Sequence, residues 1–89
     1  MFDWDEFNED HLAEHGVSPE EAEEALEDPH RQRGPSYNTP TEKRRSYYGA
    51  TVDGRILFVV VTQRDERLRV LSARDADAQG KKQYRKRGK

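Results

Sequence analysis

The sequence predicts one α+β domain in which a short N-terminal strand and two helices precede a three-stranded antiparallel meander and a C-terminal helix. The 89 residues leave no room for two cores. A capping signal at Ser18 indicates a helix, and an apolar run over residues 56–61 indicates a central strand. Helical signals early in the chain and strand signals later are typical of helices packed on one sheet.

The first predicted elements are a short edge strand and a helix. Phe2 and Trp4 alternate with aspartates, which is the period of a strand. A helix is predicted over residues 6–14 with Asp5 as its cap. Gly16 is expected to end this helix as a left-handed residue.

The second helix has the clearest start signal in the chain. Ser18 is the expected cap, Pro19 is the first helical residue, and Glu21 supplies the returning carboxylate of a capping box. Asp28-Pro29 is expected to end this helix, because the residue before a proline is pushed out of helical geometry.

A polar loop over residues 30–41 is expected to lead into the meander. The predicted strands cover about residues 45–52, 55–63 and 68–73. Asp53-Gly54 is the favoured two-residue hairpin turn between the first two strands. Asp65-Glu66 is expected to form the second turn.

The last predicted element is a helix over residues 76–86, capped by Asp75. Gly80 is expected to weaken this helix by roughly 1 kcal/mol relative to Ala. The chain is expected to end in a basic, frayed tail over residues 81–89, so that residues 1–89 form one domain.

Charge is divided by position along the chain. Residues 1–28 contain twelve of the 18 acids and no Lys or Arg, whereas residues 29–89 contain all 16 Lys and Arg and six acids. A charge of −12 therefore opposes a charge of +10, which gives the net −2. The second part of the chain predicts a basic surface that attracts polyphosphate.

Composition excludes several classes of protein. The chain has no Cys and three His, which excludes disulfides and makes a structural zinc site a poor interpretation. No apolar run approaches the roughly 20 residues that span a bilayer. The acidic N-terminus does not have the pattern of a signal peptide, so the cytoplasm is the expected location.

Several short motifs, in this order and spacing, resemble the BrnT toxins of bacterial type II toxin–antitoxin systems. They are Phe2 to Glu6, His15-Gly16-Val17-Ser18 with Glu20-Glu21-Ala22, Asp28-Pro29, Arg44 five residues before Gly49, Gly54-Arg55, Val59 to Thr62 with Arg64, Leu68 to Arg74, and Tyr84. Each motif is weak by itself, and together they span nearly the whole chain.

The resemblance implies a RelE-like fold and RNA cleavage without a metal or other cofactor. It also implies neutralisation by a ribbon–helix–helix antitoxin, similar to BrnA, encoded beside the toxin, and allows for higher-order toxin–antitoxin complexes. The acidic helices are then either solvated faces, a screen for the basic sheet or a docking surface for a basic antitoxin segment.

Metal-free RNA cleavage requires the 2′-hydroxyl to attack its own phosphate, with cations around the phosphorus. Arg64 and Arg74 are the first candidates to hold the phosphate, with Arg44 in support, because the planar guanidinium offers two parallel donors. Arg64 and Arg74 lie at predicted strand ends, where their side chains are expected to converge beside the sheet. Arg69 ranks lower as an RNA contact because it can instead face the acidic helices.

The three histidines receive different interpretations. His15 lies at the junction of the two helices and is the candidate acid or base, since an imidazole titrates near neutral pH. The other reading of His15 is a helix-end residue that caps carbonyls. His11 shares a stripe with Phe7 beside Leu12 and is predicted to lie in the core, and His30 has no assigned role.

The C-terminal helix supplies the remaining candidates for RNA binding. Tyr84 can stack on a base or donate a proton, and it can also be a helix anchor packed on the sheet. Lys81 and Lys82 are expected to attract phosphate, although a solvated tail is the simpler reading.

One alternative function remains open, a non-catalytic nucleic-acid- or protein-binding module that keeps the toxin fold. Glu14, Ala50 and Gly80 favour it, because many BrnT toxins have a Lys, an Arg and an acid at these places.

Overall fold

The computed structural model describes residues 2–35, 37–38 and 43–86, without the side chains of Tyr37, Asn38 and Arg64. These residues form three helices and six strands in the order β1 (Phe2–Asp3), α1 (Glu6–Ala13), α2 (Pro19–Glu27), β2 (Gln32–Arg33), β3 (Tyr37–Asn38), β4 (Lys43–Ala50), β5 (Ile56–Arg64), β6 (Arg67–Asp75) and α3 (Ala78–Arg85). The predicted α+β class is confirmed.

The strands form one mixed sheet in the order β1-β6-β5-β4-β2, with β3 also paired to β4. Strands β4, β5 and β6 are antiparallel neighbours, whereas β1 runs parallel to β6. Strand β5 lies at the centre, as its apolar run predicted, and has buried side chains on both faces, although Val60 is only half-buried. The three-stranded meander is therefore the middle of a larger sheet.

The predicted loop over residues 30–41 is interrupted by two short strands that were not predicted. Gln32 and Arg33 form β2 and pair with Tyr48 and Tyr47. The short β3 pairs with the start of β4. Neither segment has the apolar alternation of a strand in its sequence. Each is held extended by its pairing with β4. Residues 36 and 39–41 of the predicted loop and residues 87–89 of the predicted tail lie outside the described part of the chain.

Alternation along the central strand gives the sheet two different faces. The α1–α2 face is the main core, where Leu57, Val59 and Val61 pack with Leu12, Ala22, Ala25 and Leu26. The α3 face carries Phe58 and Tyr48, and a Cβ at Gly80 of α3 would meet the Tyr48 ring. A register shift opposite Val60 and Val61 places an extra residue in β6, so that Val70 and Ala73 both reach the core.

Both N-terminal helices begin as their sequence signals predicted. Asp5 caps α1, and Ser18 caps α2 in a capping box with Glu21. Gly16 adopts the left-handed conformation after α1, with φ of 68°. However, the core position predicted for His11 is wrong, because its side chain is exposed.

Asn8 explains how α1 is oriented on the sheet. Its side chain is buried, accepts a hydrogen bond from the Asp5 N–H and donates one to the Asp3 carbonyl, both at 2.8 Å. These bonds bring Asn8 and Leu12 to the inner side of α1. Phe7 is consequently turned outward and is 85% exposed.

The turns and the cap of α3 differ from the predictions in detail. The Thr51 N–H donates a hydrogen bond to the Arg55 carbonyl, and the Gly54 N–H donates one to the Thr51 carbonyl. The first hairpin therefore has a three-residue loop instead of a two-residue turn. Asp65 and Glu66 form the two-residue turn, both with positive φ. Asp77, not Asp75, caps α3, because Asp75 ends β6 and binds Arg55.

Candidate nucleic-acid interface

Arg74 is the best-positioned cation on the α3 face. Its side chain is exposed, and the guanidinium carbon lies 5.1 Å from the centre of the Phe58 ring. Phe58 is buried and packs against Tyr48 at 5.1 Å between ring centres. The aromatic pair therefore supports one side of the guanidinium and leaves its charge at the surface, where an anion can reach it.

Arg44 and Arg64 lie at the other end of the sheet. Arg44 pairs with Thr62 in the β4–β5 ladder, and the backbone of Arg64 pairs with Arg67. Arg74 pairs with Phe58, six residues before Arg64 along β5, which is roughly 20 Å at about 3.3 Å per residue. The expected convergence of Arg64 and Arg74 on one phosphate is therefore wrong.

The end of the sheet with Arg44 carries further cations that were not predicted as site residues. Lys43, Arg44 and Arg45 begin β4, and Arg67 begins β6; all four are exposed. The signal in the sequence was the Lys-Arg-Arg run, which the antiparallel register places near the β5–β6 turn. We call these four residues the basic rim.

Between Arg74 and the basic rim, the α3 face is only partly covered. Val60 pairs with Ser72 midway along the sheet, and both residues are half-buried. Helix α3 packs on β4 and β5. Ser72 belongs to β6, which lies on the other side of β5 from β4. Toward the basic rim, however, Thr62 is buried and its partner Arg69 is bound by Asp3 and Asp5, so the exposed surface between the two cationic ends is not continuous.

Arg69 is occupied by acids of the N-terminal segment. Its guanidinium lies 3.5 Å from an Asp3 carboxylate oxygen and 2.8 Å from one of Asp5, and the side chain is only 16% exposed. Hydrogen bonding to Asp5 raises the pKa of Arg69, and the Asn8 N–H together with Arg69 lowers the pKa of Asp5. The predicted RNA contact at Arg69 is corrected to an internal ion pair.

Arg55 was quoted in a motif but had no predicted role. It binds Asp75 at 2.6 Å, Glu21 at 3.1 Å and the Gly16 carbonyl at 2.9 Å, and thereby joins the α1–α2 turn to the sheet. The hydrogen bonds from Arg55 lower the pKa of Asp75. The pKa of Arg55 is raised by its hydrogen bonds to Asp75 and, less strongly, to Glu21. These contacts indicate a structural role.

His15 is exposed in the turn between α1 and α2. Its ring lies edge-on to His11, with 5.8 Å between ring centres. Within the described part of the chain, the ring contacts of His15 connect it to His11 and to none of the candidate arginines. The structure does not bring His15 together with Arg74.

Tyr84 is an anchor for α3. It is buried, and its hydroxyl donates a 2.5 Å hydrogen bond to Asp28. The base-stacking role is therefore corrected in favour of the anchor, because little of the ring is exposed. Lys82 is exposed on the same helix, and Lys81 is half-buried, with its charge acting on Asp75.

Asp28 ties α2, β4 and α3 together. One carboxylate oxygen accepts the Tyr84 hydroxyl and the Ala50 N–H, and the other accepts the His30 N–H. Burial acts to raise the pKa of Asp28, but these hydrogen bonds outweigh it and hold that pKa below its ordinary value. Ala50 thus supplies a backbone donor whatever its side chain.

Comparison with protein families gives a match, and comparison with curated proteins gives none. A family model described as the ribonuclease toxin BrnT of type II toxin–antitoxin systems matches residues 4–79. No curated protein matches the chain. Among the described residues, no helix is long and apolar enough to cross a membrane, and no three His, Asp or Glu side chains are grouped so that they could hold a metal ion.

Proposed function

Since the chain belongs to the BrnT family of ribonuclease toxins of type II toxin–antitoxin systems, we propose that it is a metal-independent endoribonuclease. It cleaves RNA through attack of the 2′-hydroxyl on the adjacent phosphate. A ribbon–helix–helix antitoxin neutralises it in the cytoplasm.

The exposed guanidinium of Arg74 on the α3 face carries the proposal. Phe58 fixes its position, and Arg44 lies on the same face at the other end of the sheet, where its side chain is exposed. We infer that RNA runs along this face of the sheet, with Arg74 at the scissile phosphate and Arg44 and Arg64 on phosphates farther along the strand. This arrangement accommodates the roughly 20 Å between the two ends.

The chemistry requires charge stabilisation and proton transfer. A guanidinium at the five-coordinate phosphorus stabilises the developing negative charge, and one such donor is worth roughly 10²–10³ in rate. His15 is the proposed acid or base, for which a factor of roughly 10²–10⁴ is typical. His15 lies on the α1–α2 side of the sheet and Arg74 on the α3 face, so in this mechanism the RNA reaches both around the sheet end where Arg55 joins the Gly16 carbonyl to Asp75.

The direct test uses the purified chain, RNA and an excess of EDTA. We expect cleavage to continue and the 5′ fragments to carry 2′,3′-cyclic phosphate or 3′-phosphate ends, because the attacking oxygen belongs to the RNA. Cleavage that stops in EDTA and returns with Mg²⁺ would contradict the mechanism.

A second candidate is a nucleic-acid-binding module without catalysis. The separation of His15 from Arg74 in the described contacts favours it, because a cation without a nearby acid or base binds phosphate but transfers no proton. RNA that is bound but recovered intact after long incubation would support this candidate over the enzyme.

A further inference from the structure

A groove separates the C-terminal end of α2 from the β4–β5 hairpin loop. It is lined by Glu24, Glu27, Asp28, Pro29, Ala50, Thr51 and Val52. A hydrogen bond of 3.1 Å from the Val52 N–H to Glu24 ties the hairpin loop to the helix. The groove is thus held in shape by the fold.

The lining combines apolar side chains with negative charge. Val52 is 83% exposed and is the apolar side chain that the groove presents to solvent. Three of the seven lining residues are carboxylates, and none is Lys or Arg. The carboxylates repel RNA, so the groove fits a cationic peptide segment with an apolar side chain.

We propose that this groove is the docking surface for a basic segment of the antitoxin, which places an apolar side chain against Val52. The proposal rests on the proposed function, because a type II system supplies a protein antitoxin. Charge complementarity argues for it: Glu27 is exposed at the groove, Glu24 is half-buried beside it, and none of the lining residues is Lys or Arg.

The groove also connects to the surface proposed for RNA. Asp28 lines it and at the same time accepts the Tyr84 hydroxyl, which anchors α3. A partner bound there lies beside α3, the helix of Lys81 and Lys82. Docking at the groove therefore places the bound segment beside α3, next to the RNA surface.

The test measures the affinity of the purified chain for the protein encoded by the neighbouring gene. Glu27→Arg and Val52→Ser change exposed side chains of the groove. Glu9→Arg and Phe7→Ser are matched controls on α1, where Phe7 is as exposed as Val52. We expect each groove variant to weaken the complex about tenfold or more, as for a central interface residue, and each control to bind as the parent does.

Unchanged affinity of both groove variants, or loss in the α1 controls instead, would overturn the proposal. Sedimentation of the chain alone provides a further arm: a dimer abolished by Val52→Ser would assign the groove to a second copy. Cleavage of RNA by the free groove variants should match the parent. A groove-dependent complex without any cleavage would overturn the proposed function and leave the docking surface standing.

Discussion

At the scale of single residues, Arg74 has an exposed side chain whose position is fixed by packing. Its guanidinium is held over Phe58, a contact worth about 0.5–1 kcal/mol at an exposed site. We expect Arg74→Ala to lower single-turnover RNA cleavage by roughly 10²–10³-fold, the value of one well-placed donor. Arg74→Lys should recover only part of the rate, because the ammonium lacks the planar fork.

Arg31 offers a matched control for Arg74. It is also exposed, and its guanidinium lies 5.8 Å from the centre of the Tyr47 ring, the neighbour of Tyr48 in β4. Arg31→Ala should cost a similar, small amount of stability in urea and leave cleavage intact. Equal rates for the two alanine variants would remove Arg74 from the site.

A second residue-scale prediction concerns the two adjacent histidines. If His15 transfers a proton, His15→Gln should lower cleavage by roughly 10²–10⁴-fold and remove one limb of the pH–rate profile. His11→Gln should leave the cleavage rate and the pH–rate profile unchanged, because only His15 has the proposed role. It is a matched control because the two exposed rings are close neighbours. A loss shared equally by both variants would indicate damage to the turn.

At the scale of elements, local signals predicted the elements they govern. The caps at Asp5 and Ser18 and the buried strand β5 depend on neighbouring residues, and all three are confirmed. The short strands β2 and β3, and the partners of Arg69 and Tyr84, depend on residues far away in the sequence. Arg69 meets Asp3 across 66 positions, and Tyr84 meets Asp28 across 56, which no local pattern encodes.

Gly80 shows how packing can override helix propensity. A Cβ at Gly80 would lie 2.5 Å from the Tyr48 Cε1 atom, so glycine lets α3 approach the sheet. Propensity alone predicts that Gly80→Ala stabilises the helix by about 1 kcal/mol. We expect the opposite sign, a lower urea midpoint, because the rigid Tyr48 ring must move.

Gln79→Ala is the control for Gly80→Ala, because Gln79 is an exposed residue of the same helix. It should leave the midpoint unchanged or raise it slightly. A stabilised Gly80→Ala protein would show that α3 does not pack closely on Tyr48.

At the scale of the whole molecule, three carboxylates hold separate elements together. The pKa values of Asp28, Asp75 and Glu21 lie below their ordinary values in the folded protein. The folded state therefore binds fewer protons in acid than the unfolded state. The stability from these groups is fully present above the ordinary values of 3.8 for Asp and 4.5 for Glu, and is lost as pH falls through the lower folded values.

We expect the free energy of unfolding to fall steeply below about pH 4, by this linkage. Asp28→Asn should be less stable at pH 7 and should have a shallower decline in acid. Glu9→Gln, on the exposed side of α1, should follow the parent at every pH. Urea unfolding at a series of pH values measures all three proteins, and parallel curves for the parent and Asp28→Asn would contradict the role of Asp28.

Segregated charge is the other property of the whole molecule. The acids of residues 1–28 lie in β1, α1, α2 and their connections, and two cations of the sheet, Arg55 and Arg69, pair with them. The basic rim, Arg74 and the α3 lysines belong to the other part of the chain. A molecule with net charge −2 can therefore bind a polyanion.

Salt titration of RNA affinity tests most directly whether this basic surface recognises RNA. A 2′-O-methyl oligonucleotide, which cannot be cleaved, serves as the probe. With four or five phosphates contacted, log affinity should fall against log salt with a slope of about −3. Lys81→Glu with Lys82→Glu should flatten the slope by about one unit, whereas Glu9→Gln with Glu20→Gln should leave it unchanged. A slope near zero for the parent protein would contradict RNA recognition by this surface.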